Sequence, residues 1–398
     1  MRRLADRARN LSTSGTATAR NLAASLSAQG LAIANFAAGE LNTDTSDVVK
    51  RAAIAAIEQG KNRYTEARGI EPLRTRIAER ISATTRQSWD PSEVVVTAGG
   101  KQALFNTAMV LFGPGDEVIV PAPYWTTFPE QIRLVGATPI FVNTKTDGYQ
   151  VTAAAIAERL TARTRGIVLN TPNNPTGAVC EEDTLRAIAA IAVQRELFLI
   201  FDECYGGLIY PPARHVNPIE LVPAVRNQTI IINSFSKSHA LTGWRLGYLA
   251  APLDIAKAAG AFQSHSTSNA CVLAQYGVLA SLEKPDLAFH AEIYSRLARY
   301  RQSGMAILKQ AKHARVRAPD GGFYFYLDVA PAIGKVWGAN PIGSIDDLAQ
   351  LLLAEAHAAV VSGTAFGDPA GIRISFAVAE HELLPGLERI VQVLDRLQ

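Results

Sequence analysis

The stretch LFLIFDECY, residues 197–205, decides how this chain is read. Its five apolar residues have strand length and do not alternate with polar ones. A strand of that kind needs cover on both faces, as in a parallel sheet layered between helices. The run then ends at Asp202, with a phenol following at Tyr205. A carboxylate at the mouth of an apolar strand is costly unless it meets a partner such as a protonated nitrogen.

Similar runs lie on either side: SEVVVTAGG (92–100), DEVIVPAP (116–123), TPIFVNT (138–144), TRGIVLNTP (164–172) and QTIIINSFS (228–236). Helix-like segments at 46–60, 151–160 and 182–194 alternate with them. The expectation is an α/β fold: a large domain over 46–284 with a mostly parallel sheet. After residue 285 the texture changes. A long helical stretch (286–310), GGFYFYLDV (321–329), a helix near 345–358 and GIRISFAVA (371–379) predict a small α+β domain over 285–398. Residues 1–45 are expected to form an N-terminal arm packing with it.

Bulk composition narrows the classes. The 398 residues are 48% hydrophobic and 19% charged, ordinary for a globular chain and against disorder. A net charge of +3 makes no case for nucleic acid or an anionic membrane. No apolar run approaches the roughly 18 residues of a membrane span. Cys180, Cys204 and Cys271 lack metal or disulfide spacing, and the seven histidines are scattered, so no metal is expected. The basic, Ser/Ala-rich start faintly resembles a transit peptide, but a folded arm and a cytoplasmic protein are the expectation.

In open α/β sheets, ligands sit beyond the carboxyl ends of the strands, and the odd polar residues fall there. Gly99-Gly100-Lys101 turns from strand to helix, where helical N–H groups make an anion seat. Asn174 follows the next such strand in NTPNNPTGAV. Asp202 and Tyr205 close LFLIF, and Ser234, Ser236, Lys237 and Arg245 follow QTIIIN. Pyridoxal phosphate needs each of these: donors for phosphate, a carboxylate for the ring nitrogen, a donor to the ring oxygen and an amine for the Schiff base. Each fragment alone also reads as a plain turn or a packed side chain.

The motifs GGKQALFN, GPGDEVIVPAPYW, NTPNNPTGAV, FDECY, SFSKSHALTGWRLGY and GIRISFA occur together in one order. In these the chain resembles the class I aminotransferases, fold type I pyridoxal-phosphate enzymes, and looks nearest to their bacterial aspartate, aromatic and prephenate branch. The resemblance implies a homodimeric enzyme that moves an amino group between an amino acid and a 2-oxo acid. It gives Lys237 as the Schiff-base lysine and proton carrier, Asp202 as partner of the ring nitrogen, and Asn174 and Tyr205 as donors to the ring oxygen. Trp125 would stack on the ring. Gly100, Lys101, Ser234, Ser236 and Arg245 would hold the phosphate, and Tyr64 in NRYTEARG would reach the neighbouring subunit's phosphate. Arg373 would clamp the substrate α-carboxylate near Gly39, with Asn174 and Trp125 also facing substrate. The Lys101 ammonium is available to a distal substrate carboxylate.

One stretch departs from the pattern. Where the family usually reads GEPDFDTP, this chain has GELNTDTS (39–46), and FDECY carries Cys204 in place of a branched aliphatic residue. Leu41 and Thr43 are therefore expected to open the substrate entrance and favour a specialised substrate over aspartate. The same departure leaves open a β/γ-elimination or carbon–carbon bond-forming reaction on the same fold.

Overall fold

Seven strands build the central sheet of the computed structural model, which describes Ala5 and residues 15–398. They are β1 (Val94–Thr97), β2 (Glu117–Ala122), β3 (Thr138–Asn143), β4 (Thr164–Asn170), β5 (Phe198–Asp202), β6 (Thr229–Ser234) and β7 (Gly247–Ala250). Their order across the sheet is β1-β7-β6-β5-β4-β2-β3. All neighbours run parallel except β7, which is antiparallel to both β6 and β1. This is the α/β architecture with a mostly parallel sheet expected from the continuous apolar runs.

Those runs are continuous because successive side chains enter different layers. Along β2, Val118 and Val120 join one apolar cluster while Ile119 joins another. Along β5, Leu199 and Phe201 face the second cluster and Ile200 the first. Helices Glu71–Thr85 and Glu182–Gln194 cover one face through Leu73, Ile77 and Ile188. Helix Gly100–Leu111 covers the other through Ala103 and Leu104. A strand buried on both sides has no position where a polar residue is cheap until it ends.

Strand β7 was not foreseen. Only four residues long, it follows Arg245 without a turn signal, and its role is visible only in register. Gly247 pairs with Ser234 across β6 and with Thr97 across β1. A Cβ on Gly247 would lie 2.6 Å from the Gly100 nitrogen, so a glycine is required for the phosphate-seat turn to close on this strand.

A second sheet of four strands comprises β8 (Arg315–Val316), β9 (Tyr324–Asp328), β10 (Val361–Ser362) and β11 (Gly371–Ser375) in the order β10-β11-β9-β8, all antiparallel. Helices Leu287–Leu308, Ile345–Glu355 and Glu380–Asp395 pack on it through Leu297, Leu348 and Leu387. The same cluster takes Phe36 and Leu41 from the N-terminal segment. Helix Gly15–Ala28 buries Ala23 against Ile33 and Ala359. Of the transit-like start, residues 1–4 and 6–14 lie outside the described residues, and its remainder from residue 15 belongs to helix Gly15–Ala28. Among the described residues no helix is long and apolar enough to cross a membrane.

Candidate active site

The carboxyl ends of β1, β4, β5 and β6 open into one cavity of about 550 Å³, and β11 closes it from the smaller sheet. Its lining gathers Gly39, Gly100, Lys101, Trp125, Asn174, Asp202, Tyr205, Ser234, Ser236, Lys237, Arg245 and Arg373. Tyr64 alone among the expected residues lies elsewhere. It is 90% exposed, in an outer groove with Arg63, Asn269 and Val272.

At one end of the cavity the chain is shaped for an anion. Helix Gly100–Leu111 points its first turn inward, where N–H groups have no preceding helical carbonyl to pair with. Gly99 sits at φ +81, and a Cβ there would lie 2.7 Å from Arg245 Nη2. Arg245 itself adopts φ 54, a strained region for a residue with a side chain. Its guanidinium donates to the Thr242 carbonyl at 2.9 Å. Ser234 donates to Ser236 Oγ at 2.8 Å, and both are buried. Two hydroxyls, a helix start and a guanidinium are the donor set a phosphate monoester requires.

Asp202 occupies the middle. It is 2% exposed, and its carboxylate accepts from the Cys204 backbone N–H at 3.1 Å. Burial pushes its pKa up to about 6, against which the Cys204 contacts work. A carboxylate so placed fits a cationic N–H partner. Lys237, half-buried three residues past β6, donates to the Gly39 carbonyl. Burial, reinforced by Arg373 and Arg245, pushes its amine down to about 8, with Cys204 and Glu40 opposing. An amine near neutrality at working pH is a nucleophile and a proton carrier. Pyridoxal phosphate fits this donor set along its whole length.

The far end carries a buried guanidinium and an ammonium. Arg373 on β11 is 2% exposed, donates from Nη1 to Asn174 Oδ1 at 3.0 Å and from Nη2 to the Ala37 carbonyl at 2.9 Å. Its guanidinium lies 4.4 Å from the centroid of the Tyr324 ring. Its Nε is buried without a partner among the described residues. The Lys101 ammonium sits 5.1 Å over the Trp125 ring, its proton affinity lowered by enclosure and then by Arg245. Among the described residues neither Lys101 nor Arg373 forms a salt bridge with a carboxylate.

Among the wall residues that sequence reasoning did not single out are Glu40, Asn170, Thr242 and Tyr324. Tyr324 shares a 3.0 Å hydrogen bond with the Tyr205 hydroxyl, and a Cβ on Gly39 would lie 3.1 Å from it. Its signal was the alternating aromatic run FYFY, which reads equally as strand core. One expectation is corrected. Leu41 is 8% exposed within the core cluster and Thr43 is not on the cavity wall, so neither widens the entrance and the expected preference for a specialised substrate loses its ground; Glu40, bonded by the Thr242 hydroxyl at 2.8 Å, joins Gly39 on the wall.

The family model for aminotransferase class I and II matches residues 32–390. The chain is 40% identical to a probable aspartate/prephenate aminotransferase of Aquifex aeolicus, over 99% of each chain. The crystal structure of an aspartate aminotransferase from Rhizobium meliloti superposes with a TM-score of 0.95 at 33% identity, covering 100% of both chains. That of Thermus thermophilus aspartate aminotransferase with maleate gives 0.91 at 35% identity, covering 99% of this chain and 100% of that one.

Proposed function

This chain belongs to the class I and II aminotransferases, pyridoxal-phosphate enzymes that move an amino group between an amino acid and a 2-oxo acid, and within them we propose a dicarboxylic amino acid such as aspartate as its substrate. The observation that carries the proposal is that Arg373 and Lys101 share one cavity and neither meets a carboxylate among the described residues. Arg373 offers the α-carboxylate a planar fork, with Asn174 holding one nitrogen in place. Lys101 then receives the distal carboxylate beside Trp125. A related enzyme whose structure is described with maleate, a dicarboxylate, supports that reading.

The residue roles proposed are those the family resemblance implies. When bound, the cofactor supplies an electron sink for the substrate's Cα. Asp202 holds the ring-nitrogen proton, and Asn174 and Tyr205 donate to the ring oxygen, with Tyr324 fixing the Tyr205 hydroxyl. Trp125 covers the ring face. The N–H groups of Gly100 and Lys101, with Ser234, Ser236 and Arg245, take the phosphate. Lys237 leaves the Gly39 carbonyl to hold the cofactor and then carries the proton from Cα. Gly39 lets the backbone approach the α-carboxylate.

Tyr64, exposed and outside its own cavity, is proposed to reach the phosphate in a second subunit of a homodimer. The large domain is taken as 46–284, with 1–45 and 285–398 in the smaller unit. All three cysteines are free, which suits a reducing cytoplasm.

The test is a substrate panel with 2-oxoglutarate as acceptor. Aspartate should yield glutamate at rates well above those of neutral amino acids. Turnover confined to neutral or bulky amino acids would overturn the dicarboxylate reading.

A further inference from the structure

Behind Asp202, on the other side of the strand end, stands a second carboxylate that the roles above leave unused. Glu203 follows Asp202 directly, and its N–H donates to the Ile232 carbonyl at 3.0 Å, locking it to β6. Neighbouring residues of an extended strand point to opposite faces, so Asp202 enters the catalytic cavity while Glu203 enters a second one of about 350 Å³.

There Glu203 has an unusually full set of neutral donors. Asn233 Nδ2 reaches Oε1 at 3.3 Å, while His215 Nε2 and Asn217 Nδ2 reach Oε2 at 3.1 and 3.4 Å. Its side chain is 14% exposed, as is that of His215. The His215 ring stacks on Phe201, and its Nδ1 is buried with no partner among the described residues. A hydrogen on Nδ1 would therefore be a buried donor without an acceptor, a cost of about 1–3 kcal/mol. With its hydrogen on Nε2 alone, the ring donates to Glu203 and adds no charge. The other charged or titratable groups lining this cavity are Arg80, Cys204, the Arg86–Glu220 ion pair at 3.0 Å and Tyr248.

We propose that Glu203 is a positioning residue for Asp202, a retained negative charge one residue away that strengthens Asp202's hold on the cofactor's ring-nitrogen proton. Three donors without a fixed charge face Glu203, and among the described residues no lysine or arginine bonds it. The nearby negative charge acts on Asp202 in the expected sense, adding to the effect of burial. The inference rests on Asp202 as the ring-nitrogen partner, but its first test does not.

That test titrates the Asp202 carboxyl by carbon-13 NMR in the cofactor-free full chain, assigned by loss of the signal in Asp202→Asn. Glu203→Gln should lower its midpoint by roughly half a pH unit or more, whereas Glu203→Asp, which keeps the charge but breaks the donor set, should leave it near wild type. In the holoenzyme, nitrogen-15-labelled cofactor should show its ring nitrogen losing the proton at lower pH in Glu203→Gln. A midpoint unmoved by Glu203→Gln would overturn the proposal. So would a Glu203→Asp midpoint that falls, and this second variant decides the matter if the first does not fold. If the Asp202 midpoint moves but the ring nitrogen does not respond, the assignment of Asp202 fails instead.

Discussion

Arg373 and Asn174, 199 residues apart, are joined by a 3.0 Å hydrogen bond that spans from the smaller sheet to the loop after β4. The bond fixes one edge of the guanidinium and the Ala37 carbonyl fixes another. The buried Nε remains for an incoming acceptor. With Arg373 in its proposed role, substrate recognition would be assembled from two sheets, and a ligand that engages Arg373 would also bear on how they meet.

Arg373→Lys should raise KM for amino and oxo acids roughly ten- to 150-fold, the equivalent of about 1.5–3 kcal/mol for a charge-assisted hydrogen bond. An ammonium cannot hold Asn174 and Ala37 while presenting a planar fork to a carboxylate. Steady-state kinetics on both substrates check this, and an unchanged KM would remove Arg373 from the α-carboxylate site.

Cofactor uptake should depend on pH through Lys237. The amine that attacks the cofactor must be unprotonated, and burial pushes it down to about 8 in the cofactor-free protein. The reactive fraction therefore rises with pH, by about tenfold between pH 7 and pH 9. Stopped-flow absorbance on mixing cofactor with cofactor-free protein measures the rate. Lys237→Ala should lose both the visible band of the lysine-linked cofactor and turnover, while phosphate contacts still retain cofactor.

Asp202→Asn should separate stability from activity. In the cofactor-free protein the carboxyl's pKa is raised to about 6, above its unfolded value. Its contribution to stability is therefore present below pH 4 and lost as pH rises through about 6. At pH 7 the asparagine variant should be more stable than wild type by up to about 3 kcal/mol, a gap that closes toward pH 4. Urea unfolding at several pH values reads the gap directly. The holoenzyme variant should nonetheless lose about 10²–10³ in kcat, the usual effect of removing a preorganised electrostatic partner.

Much of this site was legible because its parts are local in sequence. Asp202, Ser234 and Lys237 each end or follow an apolar strand, where a polar residue has no structural reason to be. What escaped depends on distant partners. Tyr324 meets Tyr205 across 119 residues, and nothing in FYFY marks which ring turns toward the cavity. Strand β7 is defined by its pairing with β6 and β1, not by its own four residues. Leu41 was misplaced because a loop leucine can face either way, and only the packing of Phe36 and Tyr205 draws it inward.

The proposed dicarboxylic substrate rests on Lys101. Its ammonium lies over Trp125 with no carboxylate partner among the described residues, and enclosure together with Arg245 makes holding its proton less favourable than usual. A distal carboxylate relieves that position by supplying the missing counter-charge, and a neutral side chain does not. Lys101→Met keeps the stem over the ring but removes the charge. The variant should lose roughly 10- to 100-fold in kcat/KM for aspartate, about 1.4–2.7 kcal/mol, and change by less than about threefold for a neutral amino acid. The backbone N–H of residue 101 survives the substitution, so cofactor affinity should hold, and measuring it separates the two roles of this residue. Equal losses on aspartate and on a neutral substrate would place Lys101 at the phosphate end and leave the choice of a dicarboxylic substrate without its main support.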